Sequence, residues 1–398
     1  MREISKQAGP KIKGINKENI ANKVISEESL LSLAMAEYSR KVLTGAVERI
    51  CSAMKGAQSW GAEDGYVRAG LTRVDVKRPR IRCEGKEIEI PEYEKLQSPV
   101  EFKESVRRAM LGGLATRQFK KVGEALGNSK GLSKSVVSRV SKSFAVDFDK
   151  LMSADCADIV AVFMDGIHFA DSCLLAAVGV SQFGGKRLLG LWAGTSESKE
   201  IVGSVLDELK NRNLNPKLFI IDGGKALKAA INHKFDWVPI QRCTVHKKRN
   251  IVEHVDSKHH HFVRMQMANI FESNTFSEGY QKALHFHLAL KRINETAARS
   301  WEECMPEILT FLQITDPELR RVFSTTNPIE SLFSAIRSIT GRVKRWRDQN
   351  QILYWCAGSY FRVQPNFRRV RGYKMLDQLS KLRQASELIT ETSKEMAA

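Results

Sequence analysis

The chain has 398 residues, of which 42% are hydrophobic and 27% are charged. This length and balance exclude a wholly disordered chain and predict two or three folded domains with a sizeable core. The formal net charge of +18 favours a polyanionic partner, most often nucleic acid. A generally basic surface that serves only solubility is the alternative, which we favour less.

Cellular context follows from what the sequence lacks. No apolar run approaches the roughly 20 residues that a membrane-spanning helix needs. The N-terminal segment is polar and basic and has no apolar stretch of the kind found in signal peptides. The seven cysteines are scattered and form no CxxC pair, which is typical of a reduced, intracellular protein. We therefore expect a cytoplasmic protein with no membrane partner.

Changes of pattern divide the chain into seven segments. They are a basic flexible arm (1–25), a region of helix and small β unit (26–99), a helix-turn-helix region (100–152), the first part of an α/β core (153–256), a helical insertion (257–324), the last part of the core (325–375) and a C-terminal tail (376–398). In the second segment, apolar spacing predicts a helix over 27–58. Alternation around "CEGK" predicts the β unit over 71–91.

The third segment has a pattern typical of DNA-binding proteins. Residues 115–127 and 132–152 have helical spacing and are joined by the short turn "NSKG". Two helices across such a turn indicate a helix-turn-helix with its recognition helix in a major groove, although an ordinary helical hairpin fits the periodicity equally well. The net charge favours DNA binding. The contacting side chains would then be Lys134, Ser135, Ser138, Arg139 and Lys142.

The middle of the chain predicts an α/β fold. "DIVAVFMDGIHFA", "CLLAAVGVSQ" and "RLLGLWAG" predict three strands, with "FGGK" as the hairpin turn between the last two. Helices then alternate with two further strands, "PKLFIID" and "WVPIQRC". Three strands joined by hairpins, followed by helix-linked parallel strands, is the ribonuclease H-like order. The predicted fold class is therefore α/β, with a ribonuclease H-like core interrupted by an all-helical insertion.

Two aspartates hold equivalent places in this order. Asp165 lies on the first strand and Asp222 ends the fourth, and these strands are neighbours in a ribonuclease H-like sheet. Close carboxylates repel unless a cation lies between them, and ligands that supply only oxygen favour Mg²⁺ or Mn²⁺. A strand-end Asp bonded to a turn would explain either residue alone but not the pair. We therefore predict that both bind metal.

A third carboxylate is expected from a helix beside the sheet, and Glu330 in "TNPIESLF" is the candidate. Asn327 is a good N-cap and Pro328 suits the first helical position, so Glu330 could equally be the glutamate of a capping box. Spacing alone leaves both interpretations open. Two metal ions about 4 Å apart, held by three carboxylates, would form a clamp for in-line displacement at phosphorus.

Several motifs together resemble the Mutator-like transposases of bacterial insertion sequences. They are "FMDGI", "IIDGGKAL", "QRCTVHKKRNI" and "TTNPIESLFSAIR", and the similarity runs from about residue 65 nearly to the C-terminus. The resemblance implies a DDE catalytic triad in a ribonuclease H-like fold, with a helical insertion between the second Asp and the Glu. The triad falls on Asp165, Asp222 and Glu330, with Mg²⁺ or Mn²⁺ as cofactor.

Two further features of that family also match. Its C/DxxH motif falls on Cys243 and His246. Zinc usually needs four ligands, and no second CxxH or CxxC is present, so we expect a structural or DNA-positioning role. Trp301 matches a tryptophan of the family's insertion, and we expect it in the core of that insertion rather than on DNA.

The segment 337–374 is strongly basic, with ten Lys or Arg and a single acidic residue. Tryptophan and tyrosine residues are interleaved with them. Basic side chains can neutralise phosphates while aromatic ones stack on bases. The alternative is a solvated helix face with its aromatics packed inward. The predicted phosphate contacts are Arg342, Lys344, Arg345 and Arg347.

These observations predict a transposase that binds the terminal inverted repeats of its own insertion sequence. It would free a 3′-hydroxyl at the element end and direct it at double-stranded target DNA, with divalent metal. Because two ends must be brought together, we expect a homodimer or larger assembly on DNA. The alternative is a catalytically inactive, sequence-specific DNA-binding regulator, which would not need three converging carboxylates. A further alternative is a junction resolvase of the same fold, which would cut DNA without joining strands.

Overall fold

A computed structural model describes residues 17–69, 72–97, 100–114, 140, 142–169, 172–194, 198–343 and 345–397, with side chains mainly between 34 and 391. The chain divides into two units, Met1–Ser143 and Phe144–Ala398. No helix in these ranges is long and apolar enough to cross a membrane. The described residues leave out four predicted contacts of the helix-turn-helix, which therefore stays a prediction: Lys134, Ser135, Ser138 and Arg139. Lys344 of the basic segment also lies outside them.

The first unit combines helices with a three-stranded antiparallel sheet of order β1-β2-β3. Its described elements are α1 (Lys17–Ala53), β1 (Ala57–Ala69), β2 (Thr72–Cys83), β3 (Lys86–Ile88), α2 (Pro91–Gln97) and α3 (Val100–Leu111). Leu43 and Ala46 of α1 are buried against Val67 and Ile81 of the sheet. This apolar contact between helix and sheet forms the core of the unit.

The first unit differs from the sequence prediction in two places and agrees in a third. Residues 17–25, predicted as part of a flexible arm, belong to α1. The strand β1 is absent from the prediction because Ala57 and Val67 are its buried residues among those described, and the polar side chains between them hide the alternation. The predicted hairpin forms between β2 and β3. Its turn residues Glu84 and Gly85 both have positive φ, as a tight hairpin turn requires.

The helix predicted over 132–152 is interrupted before residue 144. Lys142 and Ser143 lie in a turn, and a new helix, α4 (Phe144–Met152), follows. The hydroxyl and the backbone N–H of Ser143 both donate to the carbonyl of Val140, at 2.6 and 2.9 Å. Such a local side-chain bond competes with helix continuation. Lys142 is therefore exposed at a turn, which corrects its predicted place on the face of a recognition helix.

The second unit contains a five-stranded mixed sheet. After α4, its described elements are β4 (Ile159–Phe169), β5 (Ser172–Ser181), β6 (Lys186–Ala193), α5 (Lys199–Asn211), β7 (Leu218–Ile221), α6 (Lys225–Lys234), β8 (Ile240–Arg242), α7 (Thr244–Glu253), α8 (His260–Phe271), α9 (Phe276–Ile293), α10 (Glu295–Cys304), α11 (Pro317–Phe323), α12 (Asn327–Thr340), α13 (Gln349–Val363) and α14 (Ala385–Ala397). Short 3₁₀ segments at Ser257–His259, Glu307–Gln313, Gln364–Asn366 and Tyr373–Lys381 join some of them.

The strands follow the order expected from the sequence. Within the sheet the order is β6-β5-β4-β7-β8. The strand β4 is antiparallel to β5, and β5 is antiparallel to β6. The strands β4, β7 and β8 are parallel. The strand β4, the first of this sheet in chain order, therefore lies at its centre, next to β7, the fourth.

Alternation along β4 and β7 decides which helices each face of the sheet contacts. One face packs on α11, α12 and α13 through Ala161, Phe163, Ile167, Leu218 and Ile220. The other packs on α5 and α6 through Val162, Met164, Phe219 and Ile221. Asp165 shares the parity of Phe163 and Ile167, and Asp222 continues that of Ile220. Both carboxylates therefore belong to the face that α12 covers.

The helical block between α7 and α11 has a core of its own. Trp301 is fully buried in it, and its indole N–H donates to the carbonyl of Ala283 at 3.1 Å. This confirms the expected core position of Trp301. Ala385 and Leu388 of α14 belong to the same core, so part of the predicted C-terminal tail is folded onto the block.

The helical block is attached to the edge of the sheet at β8. Gln241 is fully buried there, and its amide donates to the carbonyl of Ile308 and accepts the N–H of Phe311, at 2.9 and 2.7 Å. Helix α11 packs on the sheet through Leu319 and Phe323, and its Arg320 also donates to the carbonyls of Ser273 and Asn274 in the block. Leu312 is the last residue of the block's apolar core before α14, and the boundary predicted at 324 stays a prediction.

Candidate active site

Strands β4 and β7 place two aspartates side by side. Met164 pairs with Ile221 in the parallel ladder, and Asp165 and Asp222 are the next residues along the two strands. Both are partly buried. Asp222 Oδ1 accepts the backbone N–H of Gly224 at 3.1 Å, a turn that leads from β7 into α6. The two carboxylates therefore lie side by side on neighbouring strands, at the level where the short strand β7 ends.

The surroundings of Asp165 disfavour its charged form. Burial raises the pKa of Asp165, and the charges of Asp222 and Glu330 raise it further, to about 7, although His246 opposes them. This is the expected behaviour of carboxylates that share a site without a cation. Negative charge is therefore concentrated and incompletely neutralised at this end of the sheet.

Glu330 lies in the first turn of α12, on the same face of the sheet. Its Oε1 accepts the hydroxyl of Thr326 at 3.1 Å and lies 3.6 Å from His246 Nε2. The capping box that Asn327 left open as an alternative does not form. The helix begins at Asn327 with Thr326 as its cap residue, and the N–H of Thr326 donates to Cys243 Sγ at 3.4 Å. The Glu330 side chain, 40% exposed, is therefore left free of backbone capping.

Cys243 and His246 lie at the start of α7, beside Glu330. Burial alone would raise the pKa of Cys243, but hydrogen bonds with His246 and Thr326 outweigh it and lower that pKa. The hydrogen bond with Cys243 raises the pKa of His246 to about 9, against desolvation and with help from the charges of Asp165 and Glu330. His246 is thus coupled electrostatically to Glu330, and Cys243 is hydrogen-bonded to His246.

The donor set at this site suits a hard divalent cation. Carboxylate oxygens are the ligands that Mg²⁺ and Mn²⁺ prefer, and a cation would offset the burial and the repulsion by Asp222 that raise the pKa of Asp165. In the part of the chain that the structure describes, no three His, Cys, Asp or Glu side chains are grouped so that they could hold one ion. Asp165 and Asp222 are adjacent, whereas Glu330 is engaged by Thr326 and His246.

Arg242, which the sequence pattern did not single out, packs against the loop after Asp222. Its side chain is 3% exposed, and its Nη1 lies 3.7 Å from Glu303 and 3.8 Å from Glu307. Gly223 has a φ of +127°, and a Cβ at that position would lie 2.5 Å from Arg242 Nη2. The signal in the sequence is an arginine at the end of an otherwise mainly apolar strand, "WVPIQRC".

The basic segment exposes its charges and packs aromatic rings against the rest of the unit. Trp355 packs edge-on against Phe144 and Tyr354 against Phe148, with ring centroids 5.3 and 5.6 Å apart. Both rings are partly buried and point inward, in agreement with the alternative interpretation. The predicted phosphate-contact residues that the structure describes are all exposed: Arg342, Arg345 and Arg347.

Comparison with known proteins identifies the family. Residues 25–353, which include both aspartates and Glu330, match the model described as "Transposase, Mutator family". The transposase for insertion sequence element IS6120 of Mycolicibacterium smegmatis is 26% identical over 237 residues, which cover 57% of this chain and 73% of that protein. The transposase for IST2 of Acidithiobacillus ferrooxidans is 25% identical over 236 residues, covering 56% and 79%.

A shorter match and a structural comparison were also found. A probable insertion-sequence transposase of Corynebacterium diphtheriae is 29% identical over 178 residues, 44% of this chain and 52% of that protein. A match to the structure of the Drosophila P element transposase strand transfer complex covers 70% of this chain and 84% of that chain, at 10% identity. Its TM-score of 0.29 is too low to support an argument. From the match over 25–353, the chain belongs to the Mutator family of transposases.

Proposed function

We propose that this protein is a DDE transposase that cuts and joins DNA at the terminal inverted repeats of its own insertion sequence. The observation that carries the proposal is the adjacency of Asp165 and Asp222 at the end of β7, on the sheet face that α12 covers with Glu330 in its first turn. The order of the five-stranded sheet, with β4 central and β7 parallel to it, supports a ribonuclease H-like core.

The reaction is two displacements at phosphorus. Water attacks a phosphodiester at the element end and the P–O3′ bond breaks, which leaves a 3′-hydroxyl on the element. That hydroxyl then attacks a target phosphodiester, joins the element to the target and releases a target 3′-hydroxyl. When bound, two Mg²⁺ or Mn²⁺ ions would supply activation of the attacking oxygen and stabilisation of the leaving oxygen. Asp165, Asp222 and Glu330 would hold the metal.

Other parts of the chain would hold the DNA. Gly166, which follows Asp165, carries no side chain that would keep a phosphate backbone at a distance, whereas the missing side chain of Gly223 leaves room for Arg242. The helix-turn-helix region over 100–152 would bind the inverted repeats, and the basic segment would contact phosphates. Because two ends react together, the active form would be a homodimer or larger assembly on DNA.

Removing two basic side chains should weaken DNA binding without changing its sequence preference. We expect Arg345→Ala combined with Arg347→Ala to lower the affinity and to reduce the slope of log K against log salt by about 0.9 for each phosphate that is no longer neutralised. Fluorescence anisotropy at several salt concentrations measures this. A variant with Lys258→Ala and Arg264→Ala, also exposed, is the matched control for net charge. Equal slopes for the two variants would contradict a specific role for the basic segment.

The proposed function is tested on a supercoiled plasmid that carries the gene with its native flanking DNA. The protein is incubated with Mg²⁺ or Mn²⁺, and new 3′ ends are mapped, with Asp222→Asn as the control. Nicks at paired inverted repeats that are absent with the variant would support the transposase. Specific binding to the flanks without metal-dependent nicks would favour the regulator, and cleavage without strand joining would favour a resolvase-type nuclease.

A further inference from the structure

We propose that Thr326 and Cys243 are positioning residues that hold the carboxylate of Glu330 ready for metal. This inference rests on the proposed function, because it takes Glu330 to be the third carboxylate of the site. It concerns the hydrogen bonds between three segments of the chain: the end of β8, the start of α7 and the start of α12.

Thr326 is the centre of these contacts. It is fully buried, and its hydroxyl oxygen lies 3.1 Å from Glu330 Oε1, 3.3 Å from Cys243 Sγ and 3.4 Å from His246 Nδ1. The shortest of the three is the bond in which the hydroxyl donates to Glu330. A buried hydroxyl with these neighbours fixes the direction in which the carboxylate leaves the helix.

Cys243 holds the cap residue of α12 in place. In a capping box, a glutamate three residues after the cap accepts the cap's backbone N–H, but Glu330 lies four residues after Thr326. Here the N–H of Thr326 donates to Cys243 Sγ at 3.4 Å instead. The sulfur therefore satisfies the cap N–H and anchors the residue whose hydroxyl donates to Glu330.

The same contacts tie Glu330 to the loop of Asp222. The backbone N–H of Cys243 donates to the carbonyl of Ile221 at 2.8 Å, one residue before Asp222. The N–H and the hydroxyl of Thr244 both donate to the carbonyl of Ser324 at 3.0 Å, two residues before Thr326. The β8–α7 junction thus links the second aspartate to the start of the glutamate helix through short, mostly backbone hydrogen bonds.

The test compares Thr326→Val, which keeps the shape but loses the hydroxyl, with Thr326→Ser, which keeps the hydroxyl. Binding of Mn²⁺ to the full chain without DNA is measured by isothermal titration calorimetry, alongside thermal unfolding and the Mg²⁺ concentration that gives half-maximal nicking. For Thr326→Val we expect Mn²⁺ binding weakened about tenfold, the effect of losing one hydrogen bond to a charged group. DNA affinity should not change. Thr326→Ser should restore Mn²⁺ binding to within about twofold of the wild type.

Cys243 provides an independent pair of variants if Thr326→Val fails to fold. Cys243→Ser keeps an acceptor for the Thr326 N–H, whereas Cys243→Ala removes it, so only the alanine variant should weaken Mn²⁺ binding. Wild-type Mn²⁺ binding by Thr326→Val or Cys243→Ala would overturn the inference, as would equal impairment in Thr326→Ser and Thr326→Val. Absence of nicking by a wild type that binds Mn²⁺ would instead overturn the proposed function alone.

Discussion

Asp165→Asn and Asp222→Asn are each expected to lower metal-dependent DNA cleavage by at least about a thousandfold, which corresponds to a few kcal/mol of lost transition-state stabilisation. The amide keeps the shape of the side chain but loses the charge that, on the proposed function, would hold a cation. Binding to the element ends should be unchanged, because neither aspartate is a basic or DNA-reading residue. Nicking assays and gel-shift assays on the same DNA measure the two properties. Asp256→Asn, at an exposed aspartate, is the matched control and should cleave normally.

Asp165→Asn should also alter how the free energy of unfolding depends on pH. Burial and the charge of Asp222 raise the pKa of Asp165 from the ordinary 3.8 to about 7. Between those pH values the folded chain keeps a proton that the unfolded chain has lost, so wild-type stability should fall as the pH rises from about 4 to 7. Asp165→Asn should lack this decline. Denaturant unfolding without divalent metal measures it, and superimposed pH profiles would show that the Asp165 charge carries no penalty.

Gly223→Ala is expected to destabilise the chain by about 1–3 kcal/mol and to abolish cleavage. Gly223 has a φ of +127°, and an added Cβ would lie 2.5 Å from Arg242 Nη2. Arg242 is buried beside Glu303 and Glu307, so it has little room to move aside. The loop would have to shift, and Asp222 is its first residue.

A second glycine in the same unit provides the control for Gly223→Ala. Gly203 lies within α5, and a Cβ there would meet no atom within 4 Å. Because alanine favours a helix more than glycine does, Gly203→Ala should raise the free energy of unfolding by up to about 1 kcal/mol. Guanidinium unfolding of both variants measures the contrast. A Gly223→Ala protein as stable as the wild type would show that Arg242 does not constrain this loop.

The positions of the two aspartates could be predicted because the signals around them are long and local. The apolar run before Asp165 and the run before Asp222 identify β4 and β7, and the strand order predicted from the sequence makes these two strands neighbours. Parity within each strand then assigns both side chains to one face. The strand β1 gave no such signal, because its polar residues obscure the alternation.

The partners of Glu330 could not be predicted from its own neighbourhood. Asn327 and Pro328 form a good helix start when considered alone, and they indicated a cap one residue too late. The actual cap residue, Thr326, is determined by its contact with Cys243, which is distant in sequence. The same holds for Arg242, whose partners Glu303 and Glu307 belong to the helical block. Contacts of this kind are tertiary, and periodicity carries no information about them.

The interruption of the core by the helical block has a consequence for the newly made chain. Asp165 and Asp222 leave the ribosome well before Glu330, which follows the whole block. At about 5–20 residues per second, the roughly 100 intervening residues take on the order of ten seconds to synthesise. On the proposed function, the N-terminal DNA-binding region is complete during that interval while the catalytic set is not. A nascent transposase would therefore be able to find DNA near its own gene before it is able to cut it.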